Sequence, residues 1–386
     1  MQSTASPGNR FEALDGWRGI CACLVVFFHF HGFSPLYTSE LVRNSYLFVD
    51  FFFVLSGFVI AWNYAKRLGS WPDVKRFLVL RLGRVYPLHL FMLLCFIAYE
   101  MLRALTHSEG MFSGPNSPGA VVSNLFLLQS MGMHDSLTWN GPSWSISTEM
   151  WTYVVFALLL AWLGMRNWLI LAAAIAAPIL LMSVSKSGMD TTYDWGFVRC
   201  LFGFALGVGC FRIYKLVAPW ARSPGAGIMT AVECAMVFSV VGFVSAAGTS
   251  PMSFMAPFVF AAAVLIFAAE GGMVSRMFHS RPLKWLGTIS YSIYLTHFFF
   301  VLIIPRVIKR IVGADLWTPM QLPNGQWTEV FGRNDVEGTL FYVLVLGATV
   351  AASALTYRFV EVPGREYTRR WLARPTPAAQ VRAAST

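Results

Sequence analysis

The chain contains a series of apolar segments, each close to the length that crosses a lipid bilayer. A helix needs about 20 apolar residues to span the hydrocarbon core, and hydropathy indicates about ten such segments. Of the 386 residues, 56% are hydrophobic and only 12% are charged, which excludes an ordinary soluble domain. The predicted fold is therefore an all-α, polytopic transmembrane helical bundle. The predicted spans are 14–33, 44–65, 85–106, 143–163, 167–185, 195–214, 227–247, 254–273, 285–305 and 338–360.

Lys and Arg are distributed unevenly between these spans. The segment 66–84 is rich in both, whereas 107–142 contains neither. Because basic loops stay on the cytoplasmic side, we expect both termini in the cytoplasm and the protein in the cytoplasmic membrane. The domain prediction is a cytoplasmic tail at 1–13, a membrane domain at 14–361 and a cytoplasmic tail at 362–386. The C-terminal tail is rich in Arg, Ala and Pro and shows no folding pattern.

The net charge of +10 does not indicate a nucleic-acid partner. The basic residues are spread over short loops and form no basic groove module. The six cysteines lie in or beside apolar spans, which favours packing roles over disulfides or a zinc site. No metal site and no permanently bound cofactor are predicted.

The first span, LDGWRGICACLVVFFHFH at 14–31, carries ionisable residues. Such residues are costly inside a membrane and usually mark a function. Arg18 and His29 are eleven residues apart, which gives a net rotation of about 20° and a rise of about 16 Å on a helix. They therefore share one helix face, with Arg18 near the cytoplasm and His29 in the outer half. His31 is rotated by about 200° from His29, so we expect it to point elsewhere.

Titratable residues from four spans are expected at one level in the outer half of the membrane. Glu149 lies beyond the first turn of its helix, where the helix-terminus field has faded, so a functional role is favoured. Asp50 and His297 are expected to support the site or to serve as structural hydrogen-bond partners between helices. Histidine accepts a proton near neutral pH. His29 is thus predicted as a general base, with Glu149 orienting its ring.

The inner half of the membrane domain carries cations instead. Arg81 and Arg84 are three residues apart, on one helix face, and lead into Tyr86. They are either topology determinants or ligands for a phosphate, which guanidinium groups bind in a bidentate manner. With Arg18 they would form a cationic inner end below the acid–base centre. His89 is interpreted as structural.

Five motifs of the chain occur in the order typical of one family. They are Arg18-x10-His29, FVDFFFVLSGF at 48–58, RLGRVYPL at 81–88, PSWSISTEMW at 142–151 and ISYSIYLTH at 289–297. With them the chain resembles the acyltransferase-3 family of integral membrane acyltransferases. The resemblance implies transfer of an acyl group, commonly acetyl from acetyl-CoA, to a hydroxyl of a saccharide or a secreted small molecule such as a macrolide. It also implies that Arg18, His29 and Glu149 are functional.

This resemblance agrees with the chemistry that the depths suggest. His29 would take the proton of the acceptor hydroxyl, while inner arginines hold the phosphates of acyl-CoA that enters from the cytoplasm. Acyl-CoA is thus a co-substrate, and the other partners are the hydroxyl acceptor and the lipid bilayer. Ser147, in the PSWSISTEMW motif, is expected to support the site. The predicted donor-binding residues are Arg18, Arg81, Arg84 and Tyr86.

Two other classes of protein use the same residue types. A proton-coupled transporter holds His, Glu, Asp and Arg within the membrane, but it more often shows paired repeats or interrupted helices, which we do not find. A metal enzyme could use His29, Glu149 and His297 as ligands, but no clustered ligand motif is present. Trp317 and Trp327, in the outer segment 312–337, are typical of an interfacial belt or of a ligand platform.

Overall fold

The structure, a computed structural model, is a bundle of long helices with one short hairpin. Within the described residues, nine helices are long and apolar enough to cross a membrane, so the prediction of a polytopic helical bundle is confirmed. The predicted tail residues 1–10 and 374–386 lie outside the described part of the chain. The described residues are 11–105, 110–164, 166–219, 225–322 and 325–373.

The elements follow one another along the chain with short connections. The helices are α1 Glu12–His29, α2 Pro35–Thr38, α3 Glu40–Arg43, α4 Phe48–Tyr64, α5 Trp71–Leu105, α6 Pro118–Leu125, α7 Trp144–Leu163, α8 Asn167–Val184, α9 Gly196–Val217, α10 Gly225–Ala247, α11 Ala256–Ala268, α12 Met273–Phe278, α13 Arg281–Val312, α14 Asp335–Thr356 and α15 Val362–Ala373, with a π turn at Tyr357–Glu361. The two strands are β1 Trp317–Gln321 and β2 Trp327–Phe331.

Helix α1 corresponds to the first predicted span but is not one of the nine apolar helices, because Glu12, Asp15 and Arg18 make it too polar. It packs along α13 instead. A Cβ atom at Gly287 would collide with the backbone of Asp15, so the two helices approach backbone to backbone. Small residues permit such close helix contacts in membranes. This contact fixes the register between α1 and α13, which carry His29 and His297.

Helix α4 is joined to α9 by the same device. A Cβ atom at Gly57 would meet the carbonyl of Phe204, and one at Gly207 would meet the carbonyl of Val54. The closeness of the two backbones leaves α4 with little freedom to slide. It therefore presents a fixed face to the cavity described below.

Two helices are longer than the spans predicted from hydropathy. Helix α5 begins at Trp71, well before the predicted span at 85–106, so Arg81 and Arg84 are helical and not in a loop. Helix α13 extends through Val312 and includes Arg306, which had been expected in a loop where it opposed the charge rule. Hydropathy marks only the apolar part of a helix, so polar turns at helix ends are missed.

The C-terminal region is also more helical than predicted. Helix α14 continues through the π turn Tyr357–Glu361 into α15, where no folding pattern had been found. Pro363 lies in the first turn of α15, a position that tolerates proline because the N–H is not needed there. The expectation of an irregular tail was therefore wrong for the described residues up to Ala373.

The outer segment that carries Trp317 and Trp327 forms an antiparallel β-hairpin, which the all-α prediction did not include. Trp317 pairs with Phe331. The backbone N–H of Phe331 donates to the carbonyl of His31, at 2.7 Å. The hairpin is thereby tied to the residues that directly follow α1, and both tryptophans keep exposed faces.

Candidate active site

A large cavity lies between the helices that carry most of the predicted site residues. Its volume is about 680 Å³, within the range of pockets that hold small-molecule ligands. It extends from arginines near the start of α1 to Ser145 and Tyr294, where the Ser145 hydroxyl donates to the Tyr294 hydroxyl at 2.9 Å. Its polar lining residues include Asp15, Arg18, Ser56, Asn63, Arg81, Arg84, Glu149, Tyr153, Thr288, Tyr291, Glu361 and Arg365.

The three predicted inner arginines line this cavity together. Arg18 pairs with Asp15 on its own helix, at 3.2 Å. Arg81 donates to the Tyr64 hydroxyl at 3.3 Å, and its guanidinium lies 5.3 Å from the centre of the Tyr64 ring. Among the described residues, no carboxylate pairs with Arg81 or Arg84. The cavity thus presents two cations whose charge the protein does not neutralise.

Two further arginines, which the sequence analysis assigned to the tail, line the same end of the cavity. Arg365 and Arg369 lie on α15 and reach the cavity with Glu361. Arg365 donates to the Glu361 carboxylate at 2.6 Å. The signal available in the sequence was their spacing of four residues, which places them on one face of a helix. The prolines and the lack of apolar residues concealed that helix.

Glu149 also lines the cavity, but it is not the hydrogen-bond partner of His29. Its carboxylate accepts from the Tyr153 hydroxyl at 2.6 Å, and Tyr153 in turn lies 2.8 Å from the Ser56 hydroxyl. The prediction of a direct His29–Glu149 pair was therefore wrong. Glu149, Tyr153 and Ser56 form a polar group on the cavity wall instead.

The reason for this correction is depth. Glu149 lies four residues, about 6 Å, from Ser145 along α7. His297 lies three residues, about 4.5 Å, from Tyr294 along α13. Since α7 and α13 run antiparallel and touch at the Ser145–Tyr294 bond, the two displacements point in opposite directions. Glu149 and His297 are thus about 10 Å apart along the helix axes, not at one level.

His29 contacts His297 at the end of the site beyond the Ser145–Tyr294 bond. Nδ1 of His29 lies 3.1 Å from Nε2 of His297 and 2.9 Å from the carbonyl oxygen of Val25. Nδ1 of His297 lies 3.3 Å from the carbonyl of Ile293. His297 is fully buried, whereas His29 is partly exposed. The predicted supporting residue His297 is therefore the side-chain neighbour of the predicted base.

His31 is separated from this pair, although not through helical rotation. Helix α1 ends at His29, and Phe30 is already extended. The exposed ring of His31 stands beside Tyr37, with 4.9 Å between ring centres. The expectation that His31 points elsewhere agrees with its position, but the chain has left the helix before reaching it.

Asp50 is not part of the cavity. Both of its oxygens accept from Arg199 on α9, at 2.9 and 2.8 Å, and Arg199 also donates to the carbonyls of Thr191 and Tyr46. Both side chains are buried. Of the two roles left open for Asp50, this geometry fits the structural one. Arg199 was missed, although an arginine inside the span 195–214 is itself a signal that a partner must exist.

Three other highlighted residues hold the outer segment 110–142 in place. The Ser147 hydroxyl donates to the carbonyl of Leu127 at 2.6 Å, and the Tyr86 hydroxyl donates to the carbonyl of Leu125 at 3.0 Å. Nε2 of His89 lies 2.9 Å from the carbonyl of Asn124. Ser147 and Tyr86 do not line the cavity, so their predicted contacts with the site and with a donor are not present.

The match to a known family covers almost the whole membrane domain. A family model described as an acyltransferase domain matches residues 11–358. The chain belongs to the acyltransferase-3 family, which confirms the resemblance inferred from its motifs, and it is a multi-pass membrane acyltransferase. Within the residues that the structure describes, no group of three or more His, Cys, Asp or Glu side chains is arranged to hold a metal ion.

Individual relatives agree with this membership. The chain is 28% identical over 356 residues to BcsY of Komagataeibacter xylinus, named as a membrane-bound transacylase, with 89% of this chain and 84% of BcsY aligned. It is 28% identical over 355 residues to acyltransferase MdmB of Streptomyces mycarofaciens, covering 86% and 82% of the two chains. Its 24% identity to peptidoglycan O-acetyltransferase OatA of Listeria monocytogenes covers 95% of this chain but 58% of OatA. No solved structure matches.

Proposed function

We propose that this protein is an O-acyltransferase of the cytoplasmic membrane that moves an acyl group, with acetyl as the first candidate, from cytoplasmic acyl-CoA to a hydroxyl of a saccharide acceptor. The observation that carries the proposal is the cavity of about 680 Å³ with two arginines that no described carboxylate neutralises. Such cations favour a ligand with several negative charges, and guanidinium groups match phosphate oxygens. The positive-inside distribution of Lys and Arg supports entry from the cytoplasm.

The cavity offers a route for the rest of the donor. In our proposal the phosphates bind at Arg81 and Arg84, and the pantetheine arm lies along the wall formed by Glu149 and Tyr153. The thioester then ends near Tyr294, one helical turn from the histidine pair. The saccharide class of acceptor is supported by the relative OatA, whose name refers to peptidoglycan.

The proposed reaction is a direct transfer with His29 as general base. His29 takes the proton of the acceptor hydroxyl, and the oxygen forms a bond to the acyl carbon. The bond from that carbon to sulfur breaks, and the thiolate of CoA receives the proton that His29 has taken. The products are the acyl ester and free CoA, and His29 returns to its neutral form.

This proposal is tested by measuring transfer from radiolabelled acetyl-CoA to a panel of muropeptides and oligosaccharides, with purified protein in nanodiscs and no ion gradient. His29→Ala is expected to reduce the rate by about 10²- to 10⁴-fold, the usual contribution of a general base, without loss of acetyl-CoA binding. His31→Ala is the matched control, and Glu149→Gln is expected to have a smaller effect than His29→Ala.

Two results would contradict the proposal. If wild-type protein binds no acetyl-CoA and transfers no label to any acceptor, the assignment of donor and acceptor fails. If His31→Ala is inactive and His29→Ala is active, the base has been misassigned.

A further inference from the structure

The two carbonyls beside the histidine pair determine where its protons lie. A carbonyl oxygen only accepts hydrogen bonds, so the nitrogen that faces it must carry the proton. Val25 O therefore requires a proton on Nδ1 of His29, at 2.9 Å. Ile293 O likewise requires one on Nδ1 of His297, at 3.3 Å. A neutral imidazole has one N–H, so Nε2 of each ring is then an acceptor.

This assignment makes the contact between the two rings consistent. His29 Nδ1–H is shared between Val25 O and Nε2 of His297, which lies 3.1 Å away. The opposite arrangement, with His297 donating to His29, would leave Nδ1 of His29 without a proton beside the Val25 carbonyl. Both lone pairs would then face each other. In the consistent arrangement Nε2 of His29 keeps a lone pair, and no described residue donates to it.

We propose that Nε2 is the basic atom of His29 and that His297 is a positioning residue, which accepts the Nδ1 proton of His29 and shares its positive charge during the reaction. The inference rests on the proposed function, because it assigns atoms to the base used there. When Nε2 takes a proton, His29 becomes a cation with Nδ1–H aimed at a neutral acceptor. Hydrogen bonds are stronger when the donor is charged, so His297 stabilises the protonated form more than the neutral one.

His297 thus takes the place that a carboxylate occupies in a Ser-His-Asp triad, where the buried acid orients the imidazole. A neutral acceptor suits this position, since a buried carboxylate would need further partners to offset its desolvation. His297 is fully buried and held by its own helix through Ile293 O. The close α1–α13 contact keeps the two rings in register.

The first test is the proton position in the wild-type protein, read from nitrogen chemical shifts of ¹⁵N-histidine-labelled protein in nanodiscs. His29→Asn and His297→Gln identify the two signals by difference. We expect both residues in the Nδ1–H form. A signal showing His29 protonated at Nε2 would overturn the inference, whether or not the protein transfers acyl groups.

The second test uses two substitutions of His297. His297→Leu removes the acceptor, and His297→Gln supplies an amide oxygen in its place. We expect the transfer rate to fall in His297→Leu by a part of the about 10²- to 10⁴-fold contribution of a general base, and to recover partly in His297→Gln. Acetyl-CoA affinity should stay unchanged in both. His89→Leu is the matched control, because it removes another buried histidine that lies outside the site.

The outcomes separate this inference from the proposed function. If wild-type protein transfers label and His297→Leu is equally active, the positioning role fails while the acyltransferase assignment stands. If His297→Gln is no more active than His297→Leu, although both bind acetyl-CoA, the role as acceptor fails. If wild-type protein shows no transfer, the proposed function fails, while the chemical shifts still decide the proton positions.

Discussion

The arginines of this membrane domain fall into two groups that differ in how their charge is balanced. Arg199 is buried, and its guanidinium donates to both oxygens of Asp50 and to two carbonyls. Arg81 and Arg84 face a cavity and pair with no described carboxylate. The first arrangement is complete without a ligand, and the second is not. The comparison shows that a polar residue in a membrane span becomes a candidate for binding only when its partners are known.

The difference has an energetic consequence. Removing one member of a buried ion pair leaves an uncompensated charge in the interior, which costs about 3–5 kcal/mol. Removing an arginine that faces a solvent-filled cavity leaves no such charge behind. Mutations in the two groups should therefore affect different properties, the stability in one case and the ligand affinity in the other.

Asp50→Ala is expected to have the largest effect on stability. It should lower the free energy of unfolding by about 3–5 kcal/mol, because Arg199 would be buried without its partner. Chemical unfolding in detergent micelles measures this change. The double variant Asp50→Leu/Arg199→Met should recover much of the loss, since neither charge is then left buried. A stable Asp50→Ala protein that has lost acetyl-CoA binding would instead place Asp50 in the active site.

Arg81→Gln and Arg84→Gln should show the opposite behaviour. A hydrogen bond to a charged group contributes about 1.5–3 kcal/mol, so each substitution should raise the Kd for acetyl-CoA by about 10- to 100-fold. The free energy of unfolding should change little. Arg43→Gln is the matched control, because that arginine is paired with Glu40 on α3, away from the cavity.

The same experiment separates phosphate binding from a general effect of charge. A donor truncated to acetyl-pantetheine lacks the phosphates of the nucleotide, so its affinity should be nearly equal in wild-type protein and in the two variants. An equal loss of affinity for both donors would show that these arginines shape the helix bundle and do not bind phosphate.

The sequence predicted those parts of the fold and site that depend on local patterns. Apolar length identified the spans, and the loop charges led to the expectation of an inner cationic end, where Arg18, Arg81 and Arg84 do meet. The position of His29 at the end of α1 also followed from the sequence. These features depend on one helix at a time, so periodicity and composition are sufficient for them.

The sequence did not predict the pairings between helices. Asp50 and Arg199 lie on helices α4 and α9, whose register is set by glycine contacts that hydropathy does not describe. His29 was assigned to Glu149 because depth was counted from approximate span ends. An error of about one turn, 5.4 Å, in each span is enough to exchange one partner for another. For the same reason Arg365 and Arg369 were missed, since α15 has no apolar stripe to reveal it.

Tyr86→Phe should have the smallest effect, and it tests whether the RLGRVYPL motif divides between the two roles. The Tyr86 hydroxyl donates to the carbonyl of Leu125, and it does not line the cavity. Its loss should lower the free energy of unfolding by only about 0.5–1.5 kcal/mol, the net value of an ordinary hydrogen bond. The Kd for acetyl-CoA, measured with Arg84→Gln in parallel, should stay at the wild-type value. A tenfold weaker affinity in Tyr86→Phe would mean that the donor reaches beyond the cavity, to the side of α5 that faces α6.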